Sequence, residues 1–315
     1  MSIHAPARGR LARLLGRFHV TGAFWYEFHL FGVRHAPAWA FAPLIRLFTL
    51  FFCLTLHRIR RALAANLAVI LGECGFVERQ RRVHRTLLEF AWCLTERYEH
   101  YGGRTQPQVE VQNRSAWETL AASASGFIVL TAHLGNWEVS SSLLASQGGR
   151  RVHVVREQEL APEAQELIRD LVKRRAGAEL VTHFAGAPGL GVLLAESLAR
   201  GEIVALQGDR PRGGGRTVDA QMFGRVTHLP IGPVALARVA GVPILPAFSF
   251  RTGRWSYRIE LADPIRVAHT SDRSRDLEGA AVEVARSLEG AISTRPHQWF
   301  CFAEMWPEGG SARSR

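Results

Sequence analysis

The sequence predicts an α/β protein with a mostly parallel sheet covered by helices, preceded by N-terminal membrane-associating helices. Three observations lead there. After residue 103, short β-rich apolar runs alternate with helical patterns, and such alternation builds parallel sheets covered on both faces. Before it, apolar residues recur at three- and four-residue steps, the helical period. An apolar fraction of 47% over 315 residues is enough for a sizeable core and excludes a disordered chain.

Leu11, Leu14, Leu15 and Phe18 share one helical face while Arg10, Arg13 and Arg17 fall on the other, the pattern of a basic amphipathic helix on an anionic bilayer. An Arg-rich, acid-free leader also suits an organellar transit peptide, so both readings stand. Residues 36–56 are long enough to span a bilayer and rich in Phe and Leu, with Trp39 near one end and Arg58, Arg60 and Arg61 beyond the other. Arg46 sits near the middle, where a charge costs roughly 2.5–3.5 kcal/mol, and Pro37 and Pro43 interrupt the start. A helix lying at the interface is therefore expected rather than a clean span. The division that follows is a docking segment over 1–56 and an α/β domain over 57–315.

Helical spacing continues from Arg61 to Tyr101 through Leu63, Leu67, Ile70, then Val83, Leu87 and Leu94. Strands are expected at 108–112, 127–131, 152–155, 179–182, 203–207, 242–248 and 256–261, with helices at 137–146, 162–176, 189–200 and 232–240. In sheets of this kind the chemistry sits at the carboxyl ends of the strands.

The formal charge of +11 gives the surface a positive field suited to nucleic acid, acidic phospholipid or an acidic carrier protein. Charge alone does not choose among them. A non-catalytic basic protein that binds membrane or nucleic acid is the competing class, supported by the charge and by the Arg-Gly-Gly-Gly-Arg run at 212–216. No nucleic-acid module is recognisable, so nucleic acid is not an expected partner. Cys53, Cys74, Cys93 and Cys301 never form a C-x-x-C pair, which points to free thiols and no metal site. No cleavable secretory signal is read. The chain has no Walker or G-x-G-x-x-G loop and no G-x-S-x-G elbow, so neither nucleotide chemistry nor a serine hydrolase is indicated.

The most informative segment is Gly126 to Glu138. An apolar strand delivers His133 to its carboxyl end, a Gly135-Asn136 turn follows, and Glu138 enters the first turn of the next helix, where the helix dipole favours a carboxylate. Across so tight a turn Glu138 is expected to accept from one ring nitrogen and leave the other as a general base. Arg156 and Arg210 are candidates to grip phosphate or a developing oxyanion, or else to form salt bridges, for instance with Asp209.

This His133-x-x-x-x-Glu138 motif, within Thr-Ala-His-Leu-Gly-Asn-Trp-Glu, resembles that of the lipid A late acyltransferases, a branch of the glycerolipid acyltransferase superfamily. The likeness extends to Arg61 with Asn66-Leu67, Arg156, Asp209-Arg210, Phe223-Gly224-Arg225, Leu229-Pro230-x-Gly232, Gly241-Val242-Pro243-Ile244 and, loosely, Pro296-His297-Gln298-Trp299. It implies a glycerolipid acyltransferase-like fold, and a thioester donor on acyl-carrier protein or coenzyme A with no bound cofactor. It further implies a membrane-lipid acceptor such as a lipid A precursor, and residence at the cytoplasmic face of a bacterial inner membrane. Another glycolipid, a lysophospholipid or an aminolipid are alternative acceptors. His133 and Glu138 are then the catalytic pair, and Asn136, Arg156, Asp209, Arg210 and Arg225 the substrate contacts. The chain departs from the pattern at Cys301–Trp306, which lacks the usual basic tail, and at Arg46.

Overall fold

A computed structural model describes residues 31–32, 35–101, 107–139, 149–157, 180–211 and 215–307. The amphipathic stretch at 10–18, the helix expected at 162–176, residues 212–214 and residues 140–146 of the helix expected at 137–146 lie outside these.

Three helices open the described chain: α1 (Ala38–Thr55), α2 (His57–Leu71) and α3 (Phe76–Tyr101). α1 has two apolar faces, because its composition leaves little else to present. On one, Phe41 and Ile45 bury against Tyr98 of α3, and Cys53 packs with Leu63, Val83 and Leu87. On the other, Trp39, Leu47 and Leu54 stand 79%, 62% and 60% exposed, together with Leu44, Leu50 and Phe51. Arg46 lies on this exposed side. Among the described residues no single helix is long and apolar enough to cross a membrane. The pair Trp39–Thr55 and His57–Leu71, bent by 93°, has the length and composition of a broken span or re-entrant loop.

The rest is β1 (Gln108–Gln112), α4 (Arg114–Ala122), β2 (Phe127–Thr131), β3 (Val152–Arg156), β4 (Leu180–Phe184), α5 (Leu190–Ala199), β5 (Ile203–Gln207), β6 (Thr217–Met222), β7 (Arg225–Pro230), α6 (Gly232–Ala240), β8 (Ile244–Gly253), β9 (Ser256–Leu261) and α7 (Arg273–Thr294). Seven strands form one sheet in the order β1-β9-β8-β2-β5-β3-β4. The five from β8 to β4 are parallel, β9 runs against β8, and β1 follows β9. Both faces are covered, which is why strand β2 reads as an unbroken apolar run. Ile128, Leu130, Val204 and Phe248 point into a core roofed by α5, α6 and α7. Phe127, Val129, Val154 and Ala247 point the other way, toward Trp117 and Leu120 of α4.

Four of the labelled elements go beyond those expected from the sequence: β6, β7, α7 and α4. The β6–β7 hairpin alternates buried Val218, Ala220 and Met222 with exposed neighbours and packs on α7, turning at Phe223 (φ 53°) and Gly224 (φ 70°). α7 carries Leu277, Ala281, Val284, Leu288 and Ile292 on one buried stripe and starts at Asp272, whose side chain accepts from the Arg275 amide. α4 is short and follows β1 directly. Of the predicted strands, 242–248 shifts to Ile244–Gly253, and the four cysteines are free as expected.

Leu288 is fully buried at the centre of the α7 stripe. Leu288→Ala is expected to lower unfolding free energy by about 2–5 kcal/mol, read as a drop in the urea midpoint with an unchanged slope.

Candidate active site

His133 leaves the carboxyl end of β2, and Asp209 leaves the carboxyl end of β5 beside it. The two strands are in register through Thr131 and Gln207, so residues two positions further along each chain meet above the sheet edge. His133 Nδ1 lies 2.9 Å from Asp209 Oδ1, and Trp299 Nε1 donates to Asp209 Oδ2 at 2.9 Å. Asp209 is fully buried, whereas the imidazole keeps 22% of its side-chain surface.

Burial pushes the Asp209 carboxyl up. The charge of the neighbouring His133, its hydrogen bond, Arg210 and the Trp299 indole outweigh that and hold it at about 2, below its ordinary 3.8. Asp209 is therefore a carboxylate at any physiological pH. With an anion fixed on Nδ1, the ring holds its proton there and presents Nε2 as an acceptor.

The backbone around His133 is set by the C-terminal segment. Phe300 N donates to His133 O at 2.8 Å, Gly135 N donates to Gln298 O at 2.9 Å, and Leu134 bridges to Trp299. Gly135 has φ +56°, and a Cβ there would collide with the Ser249 carbonyl oxygen, so the turn demands glycine. Asn136 is buried and its Nδ2 donates to Cys93 O at 3.0 Å and Tyr257 Oη at 3.2 Å.

The chain matches the family model described as bacterial lipid A biosynthesis acyltransferase over residues 13–308. It belongs to that family. Among curated proteins it is 25% identical over 190 residues to the phosphatidylinositol mannoside acyltransferase of Mycobacterium tuberculosis (strain ATCC 25618 / H37Rv), covering 59% of this chain and 56% of that protein. It is 26% identical over 210 residues to the protein of the same name from Mycolicibacterium smegmatis (strain ATCC 700084 / mc(2)155), covering 65% of this chain and 64% of that one. The chain thus spans under two thirds of the length of these curated relatives.

Within this family member the expected pairing of His133 with Glu138 is replaced by His133 with Asp209. Glu138 is buried, and its two oxygens accept from Arg97 (Nη1 to Oε2, 2.7 Å) and from Arg156 (Nη2 to Oε1). The guanidinium of Arg156 also lies over the Trp137 ring, 5.7 Å from its centroid. The reason is geometric: the Gly135 turn sends the chain into a helix whose first turn faces α3, not back toward the ring. The salt bridge considered for Arg156 exists, with Glu138 and not with Asp209. Arg210 donates to Phe300 O at 3.3 Å and adds its charge beside Asp209. Arg225 sits exposed at the tip of the β6–β7 hairpin, with no hydrogen bond to this cluster among the described residues.

Below the pair, on the α4 side of the sheet, lies a small, largely apolar cavity, part of it open to solvent. Trp117, Val129, Val154, Ile203, Ala247 and Ile259 are among its walls, and Thr131, Gln207 and Ser249 are its polar members. Trp299 and this cavity escaped the reading of the sequence as site features. The one available signal was the loose Pro-His-Gln-Trp match, which carries no geometry.

Replacing Trp299 with Phe keeps the ring but removes a donor from a buried carboxylate, an expected loss of about 1.5–3 kcal/mol. The folded-state value for Asp209 is depressed, so its contribution is present above pH 3.8 and is lost as pH falls toward about 2. The Trp299→Phe protein should lose its structure at a higher pH than the wild type, measured by circular dichroism during acid titration.

Proposed function

We propose that the chain moves a fatty acyl group from a thioester to a hydroxyl of a membrane glycolipid, with His133 as general base. The observation that supports this most is the His133–Asp209 pair standing at adjacent parallel strand ends above an apolar cavity. Nε2 of His133 takes the proton of the acceptor hydroxyl while its oxygen attacks the thioester carbonyl. The tetrahedral intermediate then expels the thiolate, which recovers the proton from the imidazolium. Asp209 holds the ring's tautomer and stabilises its charged form, and no acyl-enzyme is needed because the nucleophile belongs to the substrate.

Glu138 acts one step further out in this reading, holding Arg97 and Arg156 in place. In this reading Arg156 and Arg210 attract an anionic group of the acceptor or donor. Asn136 fixes the turn rather than touching substrate, and Arg225 is a more distant contact. The acyl donor is a thioester of acyl-carrier protein or coenzyme A. For the acceptor, the family description points to a lipid A precursor and the mycobacterial relatives to a mannosylated phosphoinositide. Both are anionic glycolipids that offer sugar hydroxyls, and that shared chemistry is the acceptor class proposed.

The exposed face of α1 supports work at the bilayer. Among the described residues no element covers six large apolar side chains there, and α2 follows with exposed Arg58 and Arg61. In this reading the face enters an anionic membrane surface, at the cytoplasmic side of the inner membrane, and brings the site to its lipid.

His133→Ala should cut acyl transfer by about 10²–10⁴-fold, and Asp209→Asn by a comparable factor, while Glu138→Gln costs less. The assay is mass spectrometry of a lipid extract incubated with acyl thioester and enzyme. Near-normal turnover in His133→Ala would refute the mechanism. In liposome flotation, the Leu47→Glu, Leu54→Glu double variant should leave anionic vesicles that hold the wild type even at raised salt.

A further inference from the structure

Gln207 has an unusual position for an amide. It is the last residue of β5, opposite Thr131, the last of β2, and two residues ahead of Asp209 as Thr131 is two ahead of His133. The Gly208 amide donates to Thr131 O at 2.9 Å, which fixes the backbone at this point. The side chain of Gln207 lines the apolar cavity, yet its Nε2 is shielded from solvent and has no hydrogen-bond partner among the described residues.

A buried donor without a partner is a standing cost to the fold. Leucine or methionine would fill the same space in an apolar wall without it. The chemistry above the cavity supplies a reason to keep the amide. Acyl transfer places negative charge on the former carbonyl oxygen, and that oxygen needs a preorganised donor. In the acyl-transfer reading, a carbonyl group bound beside His133 lies nearest the cavity's polar members Thr131 and Gln207, which stand two residues before His133 and Asp209. Of the other donors in the cluster, the Trp299 indole is committed to Asp209, while Arg156 and Arg210, bonded to Glu138 and the Phe300 carbonyl, are assigned above to an anionic group of the substrate.

We infer that Gln207 donates its amide N–H to the carbonyl oxygen of the acyl donor and to the oxyanion that forms from it, making it a catalytic residue beside His133. This rests on the acyl-transfer reading above. No bond to Gln207 forms or breaks: the thioester π pair moves to oxygen as the acceptor hydroxyl attacks, and returns as the thiolate leaves. A neutral amide suits the step, because it stabilises the oxyanion without pairing permanently with Asp209.

Two unreactive probes isolate the contact: an N-dodecanoyl amide analogue of acyl-pantetheine, which keeps the carbonyl, and the S-dodecyl thioether, which lacks it. Wild-type protein should bind the amide more tightly in calorimetry. Gln207→Leu should bind both equally, with thioether affinity unchanged, and its kcat should fall about 10²–10³-fold with KM little altered. Gln207→Met, which keeps the length and removes the donor, should lose turnover to a similar extent and guards against a folding defect in the leucine variant. A Gln207→Leu protein that keeps both the preference for the amide and its turnover overturns this inference alone. Wild-type protein that binds neither probe overturns it together with the acyl-transfer reading.

Discussion

A fully buried carboxylate governs this site. Asp209 has no access to water, and an isolated charge in that setting would protonate or unfold its surroundings. The charge survives because two donors reach it from different parts of the chain, the His133 ring and the Trp299 indole. Each of those donors must then be held by its own structure, and much of the architecture near the sheet edge does that holding. The parallel register of β2 with β5 brings the histidine and the carboxylate together. The segment after α7 brings the tryptophan.

That segment works as a strap. Its Gln298 side chain pairs with the backbone of Arg251 on both sides, accepting from the amide at 2.8 Å and donating to the carbonyl at 2.7 Å, as a neighbouring strand would. Further along, Asn66 of α2 donates to Cys301 O and Ala303 O and accepts from Met305 N, and Trp306 Nε1 reaches Thr227 in the hairpin at 2.8 Å. Helices α2 and α3, the sheet and the hairpin are thereby tied to the same few residues that fix His133. A second network backs the turn from behind. Tyr257 donates to Glu96 of α3, whose other oxygen accepts from Arg251, and Asn136 donates to the same tyrosine oxygen. Burial raises the Glu96 carboxyl against the pull of Arg251 and Tyr257. Polar groups this deep specify one arrangement because each alternative leaves one of them unpaired.

Much of the fold was legible along the chain. Residues 127–131 and 203–207 are apolar runs of strand length, and their β-branched content separates them from buried helix. Helical spacing set α2, α3 and α6 for the same reason. The β6–β7 hairpin was harder to read, because its six-residue strands mix Asp219, Gln221 and His228 with the apolar positions and turn at a Phe-Gly pair instead of a strong turn signal. α7 carries many alanines, which weaken the apolar contrast on which periodicity depends.

The sequence by itself determined the α/β class, the delivery of a histidine to a strand end, and a set of charged residues from which the site is drawn. These depend on local periods and on one tight turn, and local patterns survive in a linear reading. Only the tertiary structure decided which carboxylate serves the histidine. Glu138 is five positions from His133 and Asp209 is seventy-six, yet strand pairing makes the distant residue the neighbour. A helix entry turns the near one toward the two arginines on α3 and β3. Side-chain direction is a property of packed elements, and spacing along the chain does not encode it.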